Sequence, residues 1–235
     1  MGERLRFKGR ILPRQKLGRL KKPVNSSSAI QDLFRNQPTE KFSRGQIILY
    51  AGDELQHAFC IKSGYVKIYD INDQGENRIL AIVPPNSLMP LSLSTTMSAS
   101  KQTVRYFHEA MSDVEVYKMP RRELAPLLES DQRYLGLIID HLDKVTVALL
   151  RRVSIVEGKD AKDKIVNLFR YLIRVCGIEI TPRRFSIRPR ITHQDIASLI
   201  GITRETTSIQ IKKLEREGMV EQRKNGRLII NLPYK

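Results

Sequence analysis

Residues 191–218 read Ile191-Thr192-His193-Gln194-Asp195-Ile196-Ala197-Ser198-Leu199-Ile200-Gly201-Ile202-Thr203-Arg204-Glu205-Thr206-Thr207-Ser208-Ile209-Gln210-Ile211-Lys212-Lys213-Leu214-Glu215-Arg216-Glu217-Gly218. The pattern predicts a helix, a tight turn and a second helix. Thr192 is placed to cap the first helix, with Asp195 near the exposed N–H groups of its opening turn. Ile196, Ala197 and Leu199 make its apolar side, and Ala197 is small enough to let helices approach. Gly201 permits the sharp turn and Thr203 caps the next helix. Thr207, Ile211 and Leu214, at i, i+4 and i+7, form the buried stripe of that helix.

The opposite face then carries Arg204, Glu205, Ser208, Ile209 and Lys212. Arg can donate two bonds to guanine, Glu can accept from cytosine, Ser can meet a base or a phosphate, and Ile can touch a thymine methyl. Arg204, Glu205, Ser208 and Ile209 are therefore the candidate base readers. Val220-Glu221-Gln222-Arg223-Lys224, Asn225-Gly226 and Arg227-Leu228-Ile229-Ile230 read as a hairpin with a two-residue type I′ turn, the wing of a winged helix-turn-helix. Arg223, Lys224 and Arg227 at its tip, with Thr192, Thr203 and Lys212, are the candidate phosphate contacts.

Working outward, the charge is uneven. The 235 residues carry 41 Lys plus Arg against 25 Asp plus Glu, a formal net charge of +16. Residues 1–28 hold nine basic groups against one acidic, residues 29–157 hold 15 against 16, and residues 158–235 hold 17 against 8. A near-neutral middle between two basic parts marks the carboxyl-terminal third as the part that meets a polyanion. Residues 1–28, with Pro13, Pro23 and the Asn25-Ser26-Ser27-Ser28 run, read as a basic disordered leader. No run of 18 apolar residues or secretory signal is present, so the expectation is a cytoplasmic protein without membrane contact.

Between Ile47 and Met119, short β-rich runs recur about every ten residues: 47–50, 58–61, 65–69, 78–83 and 114–117. Turn residues separate them, which predicts an antiparallel sandwich or small barrel. Pro120 opens a helical stretch, a short helix near 121–129 and a longer one over about 131–156. On the longer one Leu135, Ile138, Leu142, Val145, Leu149 and Val156 fall at spacings of 3, 4, 3, 4 and 7, with Arg152 in the gap. This heptad row either pairs with the same helix of a second chain, the preferred reading, or packs on its own sandwich. A further helix follows the break at Glu157-Gly158 and runs to Gly177 as its cap; Thr181-Pro182 then begins an irregular, Arg-rich connection.

The whole of residues 30–235 resembles the Crp/Fnr family of transcription regulators. Three stretches carry the resemblance: Phe42-Ser43-Arg44-Gly45-Gln46-Ile47-Ile48-Leu49-Tyr50-Ala51-Gly52-Asp53 with Ile61-Lys62-Ser63-Gly64-Tyr65-Val66-Lys67-Ile68; the long helix; and Ile202–Ser208 with Leu214–Val220. The family implies an α+β chain: a sensor β-roll (double-stranded β-helix) at 29–130, a dimerisation helix at 131–157 and a winged helix-turn-helix at 158–235. It also implies a homodimer on a near-palindromic DNA site, contact with RNA polymerase, and control by an effector in the roll.

The departures are specific. Ile209 stands where the family commonly has a base-reading Arg, so the preferred DNA site differs. Leu88-Met89-Pro90-Leu91 stands where the cyclic-nucleotide cassette has Gly-Glu, so no cyclic AMP is expected; Arg105 alone is left either as an ordinary surface or ion-paired Arg, the preferred reading, or as the partner of an anion such as the dicarboxylate of the nitrogen-regulator branch. The two cysteines, Cys60 and Cys176, exclude the cysteine cluster of the iron–sulfur branch and read as buried small hydrophobes. His57, His108, His141 and His193 are dispersed, which argues against a metal-dependent cupin and against catalysis. No cofactor is expected. The alternative function is a nucleoid-type architectural protein that coats DNA without choosing sequence.

Overall fold

The computed structural model describes residues 29–90, 102–223 and 225–232. The leader expected at 1–28 lies outside them, as does Lys224. A short helix α1 (Ala29–Leu33) precedes eight strands: β1 (Thr39–Phe42), β2 (Ile47–Leu49), β3 (His57–Ser63), β4 (Val66–Ile71), β5 (Asn77–Val83), β6 (Leu88–Met89), β7 (Phe107–Ala110) and β8 (Val114–Pro120). They form two antiparallel four-stranded sheets, ordered β1-β8-β3-β6 and β2-β7-β4-β5. The expected strands are there, joined by β1, β6 and β7, whose short or mixed sequences gave no clear alternation.

The sheets face each other across Phe59, Ile61, Val66, Ile68, Ala110, Val114 and Val116. Alternation along a strand sends the intervening residues to the outer faces. Ala58, Cys60 and Met119 pack beneath α1, α2 (Arg121–Ser130) and the start of α3 (Gln132–Val156). Tyr69, Ile79 and Ile82 on the other sheet join the core of the carboxyl-terminal helices. Cys60 and Cys176 are both buried, and burial pushes the Cys60 thiol up to about 12.

After α3 come α4 (Ala161–Cys176), β9 (Gly177–Thr181), β10 (Arg184–Ile187), α5 (His193–Ile200), α6 (Arg204–Arg216), β11 (Val220–Gln222) and β12 (Leu228–Asn231). The Arg-rich connection is thus ordered for most of its length, a correction to the sequence reading: β9 and β10 form a hairpin, and β10 pairs with β12 in a sheet ordered β11-β12-β10-β9. Its apolar residues, Phe185 and Ile187, are two apart and buried beneath the helices, while charged residues elsewhere mask the pattern. Gly177 caps the helix as expected, its N–H donating to the Ile173 carbonyl, and with an extended backbone, φ −85°, it also starts β9.

The edge strand β5 is covered by side chains from three helices. Ser198 of α5 accepts from the Ile79 amide at 2.9 Å and donates to the Asn77 carbonyl. Arg152 of α3 donates to the carbonyls of Ile79 at 2.8 Å and Leu80 at 3.3 Å. The Tyr171 hydroxyl of α4 accepts from the Ile82 amide at 3.3 Å. An open sheet edge carries unmet donors and acceptors; here they dock the helix-turn-helix onto the roll.

Candidate nucleic-acid interface

The first helix of the interface, α5, is held by a capping box. Thr192 Oγ1 accepts from the Asp195 amide at 3.0 Å, and the Asp195 carboxylate accepts from the Thr192 amide at 2.8 Å and from its hydroxyl at 2.6 Å. Gly201 ends the helix in the left-handed region, φ 66°, where a Cβ would be strained. Thr203 caps α6, accepting from the Thr206 amide at 3.1 Å and donating to Thr206 Oγ1 at 2.9 Å. Thr207, Ile211 and Leu214 are buried as their spacing requires. Burial of each apolar member supplies roughly 1.5–3 kcal/mol, which orients the opposite face outward.

On that face Arg204, Glu205, Ile209 and Lys212 are exposed, and Ile209 retains 56% of its surface. None of the three charged residues makes an ion pair with another described residue. Ser208 differs from the expectation of a free reader. It is half-buried, its hydroxyl donates to the Arg204 carbonyl at 2.9 Å, and it lies 2.9 Å from His193 Nδ1. Because its one proton is used on the carbonyl, His193 Nδ1–H must be the donor of the second bond. Ser208 therefore ties α6 to α5. The hydroxyl protons of Thr192 and Thr203, the expected phosphate contacts, are directed to Asp195 and Thr206.

The wing is present, with a different turn. Arg223 N–H donates to the Arg227 carbonyl at 2.9 Å and Gly226 N–H to the Arg223 carbonyl at 2.8 Å. Three residues are thus enclosed rather than the two of a type I′ hairpin, and Gly226 takes the left-handed position, φ 76°. Arg227 is exposed, and Arg223 is exposed but bonded to Glu221 at 3.1 Å. Arg190, which the sequence reading did not single out, is brought by the fold against Gly226, where its side chain would meet a Cβ at 2.5 Å.

The long helix corrects the expected dimer row. Ile138 is 3% exposed and packs with Ile30, Leu33 and Leu128 of its own chain, Val145 is half-buried, and Arg152 turns inward to β5. Leu135, Ile139, Leu142, Leu149, Val153 and Val156 are exposed, with Ile139 at 60% and Val153 at 58%. With Thr146 they recur at spacings of 4, 3, 4, 3, 4 and 3. Leu135, Leu142, Leu149 and Val156 belong to both rows, so hydrophobic pattern alone could not separate them; the inward turn of Arg152 does.

In the roll, Arg105 is exposed and lies at the edge of a cavity of about 600 Å³ between β5, α3 and α5, with His108, Arg152 and Ser198 among its walls. His108 is buried, its Nδ1–H donates to the Tyr106 carbonyl at 2.9 Å, and its Nε2 has no partner among the described residues. Burial holds its pKa down to about 4, so the ring is neutral. Leu88 and Met89 are buried in the core. Among the described residues no group of three His, Cys, Asp or Glu side chains could hold a metal ion.

A roll, a long connecting helix and a winged helix-turn-helix with a polar, unpaired outer face define a DNA-binding transcription regulator. The comparisons with known proteins agree. Residues 39–131 match the model of the cyclic nucleotide-binding domain and residues 167–234 that of the Crp-like helix-turn-helix domain. The global nitrogen regulator of Synechococcus elongatus is 24% identical over 82% of this chain and 85% of its own. The HTH-type regulator ArcR of Staphylococcus epidermidis is 24% identical over 75% of each chain. Among solved structures, a CRP/FNR family regulator from Thermus thermophilus superposes with a TM-score of 0.63 at 22% identity, covering 82% of this chain and 93% of that one. FixK2 from Bradyrhizobium japonicum gives 0.69 at 15% identity, covering 84% and 93%. The chain belongs to the Crp/Fnr family of transcription regulators.

Proposed function

We propose that the chain reads DNA sequence as a homodimer and regulates transcription in the cytoplasm without catalysing a reaction. The observation that carries this is the pair Arg204 and Glu205, exposed at the start of α6 and unpaired among the described residues, with Lys212 on the same helix and Arg227 on the wing also exposed. The exposed row on α3 supports pairing with a second copy, which would set two α6 helices in successive major grooves roughly 34 Å apart on a near-palindromic site. RNA polymerase is the further partner, through contacts that depend on where the site lies. No described helix is long and apolar enough to cross a membrane.

The effector on this reading enters the cavity between β5, α3 and α5. Its walls are mainly apolar, Arg105 stands at its edge, and the neutral His108 offers an acceptor, which together suit a small apolar molecule with one anionic group. Cyclic AMP is disfavoured on this reading, because Leu88-Met89-Pro90-Leu91 stands where the family's cassette has the glycine and the carboxylate that meet its phosphate and ribose. Ser198 and Arg152 border the same cavity, so occupancy would act on the docking of the helix-turn-helix.

Binding to genomic fragments at rising salt tests the reading. A subset of fragments should remain bound after the rest release; uniform release would favour an architectural coat instead.

A further inference from the structure

A second cavity, of about 540 Å³, lies on the other side of α3, between that helix, α4 and the Pro84-Pro85-Asn86 turn after β5. Its wall is apolar where Ile82, Val83, Val145 and Ala148 face it. Its charge is one-sided. Lys144, Arg151, Arg152 and Arg174 line it against a single carboxylate, Asp140, and Lys144 already pairs with Asp140. That leaves three guanidinium groups with no carboxylate facing them.

Their surroundings sharpen the imbalance. Arg152 uses Nε and Nη2 on the β5 carbonyls, while Nη1 is buried without a partner among the described residues. Arg151 and Arg174 make no ion pair with any described residue. Burial, with the charges of Arg151 and Arg170, pushes the Arg174 guanidinium down from its usual range. His141, at the same cavity, is buried with Nε2 unpartnered among the described residues, and burial and Lys144 hold its pKa below the usual histidine value. Like charges gathered at a partly desolvated site raise its energy until a counter-charge arrives. Guanidinium forks match the paired oxygens of phosphate and carboxylate.

We propose that this cavity is a ligand site for a small organic dianion, a phosphomonoester or a dicarboxylate carried on an apolar body. Two negative charges answer most of the excess, and the apolar wall favours a body over a bare ion. Arg151 and Arg152 belong to α3 and Arg174 to α4, so the ligand would bridge the connecting helix and the DNA-binding unit. The site is separate from the effector cavity, with Arg152 in the wall between the two.

Calorimetric titration of the full chain with phenyl phosphate, phthalate and inorganic phosphate tests it. At least one of the ring-bearing dianions should bind, with inorganic phosphate ten-fold weaker or more; which ring dianion is tighter decides between phosphate and carboxylate. Arg151→Ala/Arg174→Ala, both on exposed side chains, should weaken the tighter ligand at least ten-fold with the circular dichroism unchanged. Ala148→Leu, which adds bulk to the apolar wall where the ligand body would lie, should do the same. Arg105→Ala, at the other cavity, and Arg204→Ala/Arg227→Ala, on the DNA face, should leave the affinity within two-fold. Absence of binding by both ring dianions at millimolar concentration overturns the proposal. So does a loss caused by Arg105→Ala or by the DNA-face pair while the two cavity variants still bind.

Discussion

Arg152 of the long helix donates to the carbonyl of Ile79 at 2.8 Å, across the edge of the β2-β7-β4-β5 sheet. That bond fixes the rotation of α3 about its axis. Ile138 and Arg152, which belong only to the row expected from sequence, face their own chain, whereas Ile139 and Val153 in the same stretch of helix face out. The surface available to a second copy follows from one inward-turned guanidinium.

Leu142→Glu and Val153→Glu should each convert a dimer to monomers in sedimentation velocity, because each sets charges against charges in an apolar seam. Ile138→Ala should instead cost about 2–5 kcal/mol of folding stability, since Ile138 is packed in its own chain. A dimer that survives Val153→Glu would refute the seam.

Arg204→Ala should relax preference at one position of each half-site and cost roughly 1–3 kcal/mol there. Arg227→Ala should weaken binding to all sequences alike and lower the salt slope by about 1. Ser208→Ala, which removes the tie between α5 and α6, should also act on all sequences. Quantitative binding to a randomised half-site library separates the three; uniform loss for Arg204→Ala would remove it from the readers.

His108 makes stability depend on pH in a definite direction. Its folded pKa is about 4, against roughly 6.5 in an unfolded chain. Between those values the unfolded chain takes the proton and the folded one does not. The contribution of His108 is whole above about pH 6.5, falls as pH drops toward 4 and then levels, a total on the order of 3 kcal/mol. His108→Asn keeps a donor for the Tyr106 carbonyl without the titration. Its melting temperature should fall less steeply over that interval; an unchanged slope would reject the assignment.

Ser198→Ala should leave the Ile79 amide without its partner, at a cost of roughly 1–3 kcal/mol. Hydrogen exchange across residues 77–83 should quicken, with little change in the core strands β3 and β8. Unaltered protection of β5 would mean that Ser198 does not hold the helix-turn-helix on the roll.

Much of this was legible from local pattern. Thr192, Asp195, Gly201 and Thr203 announced the caps and the turn, and the spacing of Thr207, Ile211 and Leu214 named the buried side of α6. Such features depend on residues within a turn or two of each other. Ser208 was misjudged for the opposite reason: it lies on the outer side of its own helix, yet His193 of another helix reaches it. The β9–β10 hairpin was missed because its apolar residues are few and find their burial only against α4 and the wing.

The amino-acid order alone determined the α+β architecture, the winged helix-turn-helix, and Arg204 and Glu205 as outward-facing charges, because periodicity and capping chemistry are local. The tertiary structure decided which of two overlapping heptad rows is free, which hydroxyls are already spent, and that three guanidinium groups share a cavity. Those outcomes depend on groups distant in sequence competing for the same space and the same hydrogen bonds, and no local pattern records that competition.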